Sequence, residues 1–247
     1  MRHVLFLALL AVAGCSSASA PAVPAPRQAP VARAPLAPGE VDTRPAVAVF
    51  PFVNGGSYGR DAEDFAALEV GVQQMLLTEL SQNGSLRVVE RTTLRDIIAE
   101  QDLGVSGRVD AGTAAGIGRL VGARYIITGQ FTDLYGDFRM DGRIVNVETG
   151  EIIHTDQVRN RREKLYDLIV QLAEKMTDGV DLPALPAAVR TARLNRDIPA
   201  EAVTLYSRAQ VYQDAGRTDR AIELYRNIAE QFPQMTEARE ALRQLGV

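Results

Sequence analysis

The chain has 247 residues, of which 46% are hydrophobic and 23% charged, with a formal net charge of −4. This acidic balance argues against a nucleic-acid-binding protein, which would show a marked basic excess. Cys15 is the only cysteine, which excludes a disulfide framework and a zinc site built on several thiolates. The length leaves room for one medium-sized domain and a small appendage.

The first residues have the pattern of an export signal. A charged start, Met1-Arg2-His3, precedes an apolar run from Val4 to Val12 and then the small residues Ala13-Gly14. The run is shorter than the roughly 20 residues that a membrane-spanning helix needs. We therefore predict a signal peptide over residues 1–14.

The residues around Cys15 decide which kind of signal this is. The stretch Val12-Ala13-Gly14-Cys15 resembles the bacterial lipoprotein box, in which the cysteine is lipidated and becomes the new N-terminus. The alternative is an ordinary signal peptide that happens to contain a cysteine. Several acyl chains, at about 0.8 kcal/mol for each buried CH₂, would make a durable anchor. Ser16 follows, rather than the Asp that marks inner-membrane retention, so the resemblance implies the periplasmic face of the outer membrane.

A Pro- and Ala-rich segment follows the lipidation site. Residues 15–44 contain too little apolar surface to fold, and their prolines stiffen the chain. We predict a disordered tether, which at about 3.1 Å per extended residue holds the folded part some distance from the bilayer.

Residues 45–180 show the alternation of an α/β or α+β sandwich. Apolar runs bounded by Gly, Pro or Asn indicate strands, and helical spacing of apolar residues indicates helices. Asp110 is expected to cap the third helix. The predicted strands are 46–52, 86–90, 124–134, 137–147 and 150–160; the predicted helices are 64–82, 92–101, one ending at Leu120, and 163–180.

This region resembles the CsgG family, named for the curli secretion channel of the outer membrane. The likeness is carried by "VAVFPF", "VVERTTLRDIIAEQ", "GRLVGARYIITGQFTDL" and "RIVNVETGEI", in the family's order between Pro45 and Val180. The resemblance implies an anticodon-binding-domain-like fold and an outer-membrane lipoprotein. The best-known family member inserts two β-hairpins per subunit into the membrane.

Both membrane-spanning hairpins are missing from this sequence. Only Tyr135-Gly136-Asp137 and a few strand residues separate the strands between which the first would enter, and a membrane strand needs about 9–11 residues. Where the second would enter, "RNRREK" leads straight into a helix, and Arg and Lys are costly on a lipid-facing strand. We therefore expect an accessory protein rather than a channel subunit.

The C-terminal residues 199–247 resemble one tetratricopeptide repeat followed by a capping helix, joined through a linker at 181–198. Tyr212 and Tyr225 occupy aromatic positions of the 34-residue pattern, and Gly216 makes the turn between its helices. Because a single repeat rarely buries enough surface to be stable alone, it is expected to pack on the main domain, on a second copy or on a partner. The alternative is a plain helical hairpin with no binding role.

Residues suited to catalysis are scarce. His154 is the only histidine beyond His3, so nucleophilic or zinc chemistry would rest on it alone. The glycines of Gly116-Ile117-Gly118-Arg119-Leu120-Val121-Gly122 lack the spacing of a dinucleotide fingerprint, and close packing of a helix on the sheet explains them better. We predict no enzymatic activity, no cofactor and no metal.

Protein contact is the expected activity, with Tyr212, Tyr225, Arg161 and Arg162 as candidate contact residues. Arg159, Arg161, Arg162 and Lys164 can bind an anionic partner, or they form a solvated strand end. We expect a periplasmic scaffold or accessory factor in secretion or surface-structure assembly, able to homo-oligomerise, with no nucleic-acid partner. Two alternatives remain: an LpoB-like activator of a penicillin-binding protein in peptidoglycan synthesis, and an oligomeric secretion-channel subunit.

Overall fold

The computed structural model describes residues 42–57, 61–100, 110–180, 182, 184 and 186–247. The predicted signal peptide, the lipidation of Cys15 and the tether as far as residue 41 lie outside these ranges and stay predictions. The described residues from 42 onward belong to one compact unit. No helix in the described ranges has both the length and the apolar character needed to cross a lipid bilayer.

A five-stranded sheet in the order β2-β1-β3-β4-β5 forms the centre of this unit. β1 runs parallel to its neighbours β2 and β3, whereas β3, β4 and β5 form an antiparallel meander. β5 is therefore an edge strand, and it carries His154. The strands are β1 (Ala46–Asn54), β2 (Arg87–Val88), β3 (Tyr125–Leu134), β4 (Asp137–Asn146) and β5 (Ile152–Arg161).

Helices follow the strands as the sequence predicts, and the mixed α+β class is confirmed. β2 is shorter than the predicted strand 86–90, since only two of its residues pair with β1. A short 3₁₀ turn, Arg162–Lys164, precedes α4. The helices are α1 (Ala62–Ser81), α2 (Arg91–Glu100), α3 (Ala111–Leu120), α4 (Leu165–Asp178), α5 (Ala187–Leu194), α6 (Ala200–Asp214), α7 (Thr218–Gln231) and α8 (Thr236–Gln244).

The sheet has an apolar core on each face, because alternate strand residues point to opposite sides. Val47 and Val49 of β1 join one core with residues of α1, α4 and the C-terminal helices. Ala48 and Phe50, from the same strand, join a second core with α2 and α3. A continuous apolar run thus reads as a strand that is buried on both faces.

Individual residues explain where α3 begins, how it packs on the sheet and where it ends. The carboxylate of Asp110 accepts a hydrogen bond from the Thr113 N–H at 3.0 Å, which confirms the predicted N-cap. Close packing explains only one of the glycines in this region, since a Cβ on Gly118 would lie 2.5 Å from Val147, whereas Gly116 has open space. Gly122 adopts a positive φ of 65° in the turn that ends the helix.

The C-terminal hairpin α6–α7 packs on the outer side of α1. The two backbones approach closely where Gly71 of α1 faces the buried Ser207 of α6: a Cβ on Gly71 would lie 1.7 Å from Ser207 Oγ and 2.4 Å from its Cβ. Arg91, at the start of α2, adds polar contacts to α6 through Gln210 at 2.7 Å and through Asp214. The predicted boundaries at residues 180 and 199 stay predictions.

We expect Gly71→Ala to destabilise the protein by about 1–3 kcal/mol, because the added methyl overpacks the contact between α1 and α6. The higher helix propensity of Ala does not offset this clash, because a rotamer change of Ser207 moves its Oγ but not its Cβ. Urea unfolding monitored by circular dichroism measures the effect.

Gly116→Ala in α3 is the matched control. Nothing lies within 4 Å of its added Cβ, so we expect a gain of about 0.5–1 kcal/mol from helix propensity alone. Equal effects of the two substitutions would contradict the close crossing of α1 and α6.

Candidate contact site at the hairpin tip

The turn that joins β3 to β4 has an unusual residue at its first position. Leu134 pairs with Asp137, so the loop consists of Tyr135 and Gly136 alone. Both have positive φ, 55° for Tyr135 and 89° for Gly136, as a type I′ hairpin turn requires. The first position of such a turn favours Asn, Asp or Gly, because other side chains are strained in the left-handed region.

Two apolar side chains project from this turn into solvent. Tyr135 is 91% exposed, and the adjacent Leu134 is 49% exposed. Within the described residues, Tyr135 is the one non-glycine residue with positive φ. Neither the strain nor the exposure stabilises the fold, and strained, exposed residues of this kind concentrate at functional sites.

The base of the turn is held by a buried carboxylate. Asp133, at the end of β3, is fully buried. Its Oδ1 accepts the Gly136 N–H at 2.7 Å, and its own N–H donates to Ser57 Oγ at 3.0 Å. The turn conformation is therefore fixed from below by hydrogen bonds rather than by contacts of Tyr135 itself.

Arg162 completes this support. Its Nε donates to the second oxygen of Asp133, its Nη1 lies 2.6 Å from Asp61 Oδ2, and its backbone N–H donates to the Gly136 carbonyl at 2.8 Å. The guanidinium also stacks 5.1 Å from the ring centroid of Phe65. Although partial burial opposes the charged form, these two carboxylates raise the pKa of Arg162 above its ordinary value.

The two arginines predicted as contact residues lie together at this tip but differ in availability. Arg162 is committed to the turn, whereas Arg161 is exposed at the end of β5 and faces Asp137 across the sheet. Arg159 forms an ion pair with Asp137, and Lys164 forms one with Asp167 at 3.3 Å. The hydrogen bond from Arg159 holds the pKa of Asp137 below its usual range. Three of the four basic residues are thus paired, although Arg159 and Lys164 remain largely exposed, so the choice between an anion-binding site and a solvated strand end stays a prediction.

The two tyrosines predicted as contact residues lie elsewhere, in the C-terminal hairpin. Tyr225 is fully buried, its hydroxyl accepting from Gln210 at 2.7 Å and donating to Gln213 at 2.9 Å. Its ring packs 5.7 Å from that of Tyr206. Tyr212 is half-buried against the same core. Partner binding through these tyrosines stays a prediction.

The residues weighed for catalysis do not assemble into a site. His154 is partly buried in β5, with its Nε2 4.0 Å from Asp156 Oδ2, and Asp156 is itself paired with Lys175 at 2.6 Å. In the part of the chain that the structure describes, no group of three or more His, Cys, Asp or Glu residues is placed to hold a metal ion.

The β3–β4 turn lies inside a segment that matches a known family. Residues 36–142 match the family model described as "Curli production assembly/transport component CsgG". The segment 36–142 belongs to the CsgG family. The match includes β1 to β3 and the tip, and it ends within β4, so β5, Arg161 and α4 lie beyond the matched part of the chain.

Several solved structures share features with this chain at low similarity. The LpoB C-terminal domain from Escherichia coli is 22% identical, with 49% of this chain and 84% of that chain covered and a TM-score of 0.35. Lipoprotein GNA1162 from Neisseria meningitidis is 13% identical, with 47% and 79% covered and a TM-score of 0.38. The PelC dodecamer from Paraburkholderia phytofirmans is 15% identical, with 57% and 89% covered and a TM-score of 0.33. Similarity at this level carries no inference about function.

The comparison with curated proteins finds no match. The assignment of this segment rests on the model match over 36–142 and on three of the four motifs quoted above, since "RIVNVETGEI" begins at Arg143.

A second charged cluster joins α1 and α4 to the C-terminal helices. Glu79 of α1 accepts a hydrogen bond from Arg193 of α5 at 2.8 Å, and Arg196 donates to Glu237 of α8 at 2.7 Å and stacks 5.3 Å from the ring of Tyr166. Burial raises the pKa of Glu79. Burial acts in the same direction on Glu237, but the hydrogen bonds from Arg196 outweigh it and lower its pKa. The members of this cluster pair with one another, and Arg193 Nη2 is left buried without a hydrogen-bond partner among the described residues.

Sequence reasoning missed Tyr135 and Leu134, although a signal was present. The two strands are separated by two residues, and a tyrosine stands before the glycine where a type I′ turn favours Asn or Asp. That mismatch between residue and turn could have marked Tyr135 as a candidate contact residue.

We expect Tyr135→Asn to raise the free energy of unfolding by about 1 kcal/mol, because Asn tolerates the left-handed conformation that strains Tyr. The exposed ring contributes no packing that would be lost. Tyr135→Ala is the control: it removes the ring but keeps the strained Cβ, so it should leave stability nearly unchanged. If Asn is no more stable than Ala in urea unfolding, the turn is not strained.

We expect Glu237→Gln to cost about 3 kcal/mol at pH 7, because it leaves the buried Arg196 without its carboxylate. The folded-state pKa of Glu237 lies below the ordinary value of about 4.3. Its contribution is therefore present above that value and is lost as pH falls through the folded-state pKa. The stability difference between the two proteins should shrink at pH 3.5.

Glu240→Gln on the same helix is the matched control, because Glu240 pairs with Arg243 on an exposed face and such pairs contribute little. A Glu237→Gln effect that is equally large at both pH values would contradict the assigned ion pair.

Proposed function

We propose that this chain is a non-enzymatic accessory lipoprotein of the bacterial envelope, which works by presenting the tip of the β3–β4 hairpin to another envelope protein. The observation that carries the proposal is the rigidly held, strained and exposed Tyr135. Tyr is enriched among the residues that dominate protein interfaces, since it offers a large contact area at low conformational entropy cost.

The family segment supports an envelope role at a coarse level. The lipoprotein box at Cys15 and the absence of Asp at position 16 favour an anchor in the outer membrane, with the domain on its periplasmic side. The proposed tether, residues 15–44, would separate the folded domain and its tip from that membrane, so that the tip can reach another envelope protein. Secretion or surface-structure assembly is the proposed setting.

Photo-crosslinking in intact cells tests the contact. We expect p-benzoylphenylalanine in place of Tyr135 to give a discrete covalent adduct with another envelope protein, because the side chain projects away from its own domain. The same group in place of Leu120, which is 58% exposed at the end of α3, is the control and should give no discrete adduct. Equal labelling at both positions, or none at either, would contradict the proposal.

Fractionation of the same cells tests the lipid anchor at Cys15, and the identity of the crosslinked protein tests the proposed role in secretion or surface-structure assembly. A Cys15→Ala variant should leave the membrane pellet for the soluble fraction, and Ser16→Asp should move the protein to the inner membrane. A secretion or appendage component in the adduct supports the proposed setting. A peptidoglycan synthase would instead favour the alternative of an LpoB-like activator.

A further inference from the structure

Three side chains at the tip form a row across the ends of neighbouring strands. Leu134 of β3 pairs with Asp137 of β4, and Asp137 pairs with Arg161 of β5. Residues that are paired across adjacent strands point to the same face, with strands about 4.8 Å apart. Leu134 and Arg161 therefore flank Asp137 on one face, and Tyr135 projects beyond them from the turn.

We propose that this row and Tyr135 dock together into a protein socket that is apolar at its centre and carries a carboxylate positioned for Arg161. This inference rests on the proposed function and adds the chemistry of the partner. Tyr135 and Leu134 supply the apolar contact, and the guanidinium of Arg161 supplies the charge.

The need for a partner carboxylate follows from the pairing of the other cations. Asp137 forms an ion pair with Arg159, and Asp133 and Asp61 both form ion pairs with Arg162. Within the described ranges, no carboxylate forms an ion pair with Arg161. Docking of Leu134 and Tyr135 would remove water from this neighbouring guanidinium, and a desolvated charge without a partner is costly. A carboxylate on the socket meets that need with two parallel hydrogen bonds.

The same pairing argues against a lipid surface as the target of the tip. Electrostatic binding to anionic lipid uses clusters of about 4–8 basic residues. Here the ion pairs leave Arg161 as the single unpaired cation of the four basic residues at the tip. One free guanidinium beside one aromatic side chain fits a localised socket with a single acidic group.

The rigidity of the tip favours docking without rearrangement. The Gly136 N–H and carbonyl, and the N–H of Asp133, are all hydrogen-bonded, so the turn is ordered before a partner arrives. Binding by a pre-ordered group avoids much of the entropy loss that a flexible loop would suffer.

Zero-length crosslinking tests the carboxylate directly. A carbodiimide joins an amine to a carboxylate in contact with it, forming an amide as the reagent takes up the lost water. Lys164 and Lys175 are the only lysines of this chain, so replacing both with Arg removes the native side-chain amines, and the Arg143→Lys control below reports any coupling through the N-terminal amine. Arg161→Lys in that background then places one amine at the tip and keeps its charge.

We expect carbodiimide treatment of envelopes that contain this full-length variant to give an adduct with another protein, joined through an Asp or Glu of that protein. The adduct should be lost when Tyr135→Ala is added, because the apolar contact no longer holds the amine in place. Arg143→Lys in the same background is the matched control. Arg143 is an exposed arginine on the same face of the sheet, near the far end of β4, and should give no adduct.

The outcomes separate this inference from the proposed function. A protein adduct from the photo-crosslinker at position 135, without coupling from position 161, overturns the carboxylate socket and leaves the contact function standing. A photo-adduct with lipid alone, or with a second copy of this chain, overturns the inference and the proposed contact with another envelope protein. Coupling at 161 that persists with Tyr135→Ala also overturns it, because the apolar part of the socket would then be unnecessary. Thermal unfolding of each variant confirms that the fold is retained.

Discussion

The ion pair between Asp133 and Arg162 is the interaction on which the tip of the molecule depends. It lies where β3 ends, where the turn begins and where the chain leaves β5 for α4, so one buried carboxylate connects three segments. A buried carboxylate is stable only when its oxygens are paired and hydrogen-bonded. The backbone N–H of Gly136 and the guanidinium of Arg162 meet that condition, and in doing so they fix the conformation of the turn.

This arrangement explains how a strained residue persists. Tyr135 has no contacts that would hold its backbone in the left-handed region, and its ring is in solvent. The hydrogen bonds of Asp133, Gly136 and Arg162 offset the strain of this backbone conformation, because these groups would lose their partners if the turn relaxed. The strain is thus sustained by buried polar contacts, and the ring remains free to bind.

The C-terminal helices follow a similar physical rule at a different place. Gly71 and Ser207 lie at a close crossing that allows α6 to approach α1. The ion pair of Glu79 with Arg193 connects α1 to α5, and the ion pair of Glu237 with Arg196 connects α8 to the segment after α5. Charges removed from water are tolerated only in one mutual geometry. Small residues therefore permit the packing, and the ion pairs restrict its register.

The sequence by itself determined the class of elements and their order. The apolar run of β1, the amphipathic spacing of α1 and α4, the cap at Asp110 and the two-residue loop after Leu134 are local patterns, and local patterns are set by backbone and side-chain periodicity. The motifs of the CsgG resemblance could also be recognised from the sequence.

Only the tertiary structure decided which charged side chains are free of an ion pair, because pairing depends on residues far apart in the chain. Arg161 and Arg162 are neighbours in sequence, yet one is exposed and the other is held by Asp61 and Asp133. Likewise Tyr212 and Tyr225 belong to the same repeat-like pattern, but packing against Tyr206 and the hydrogen bonds of Gln210 and Gln213 bury the second completely.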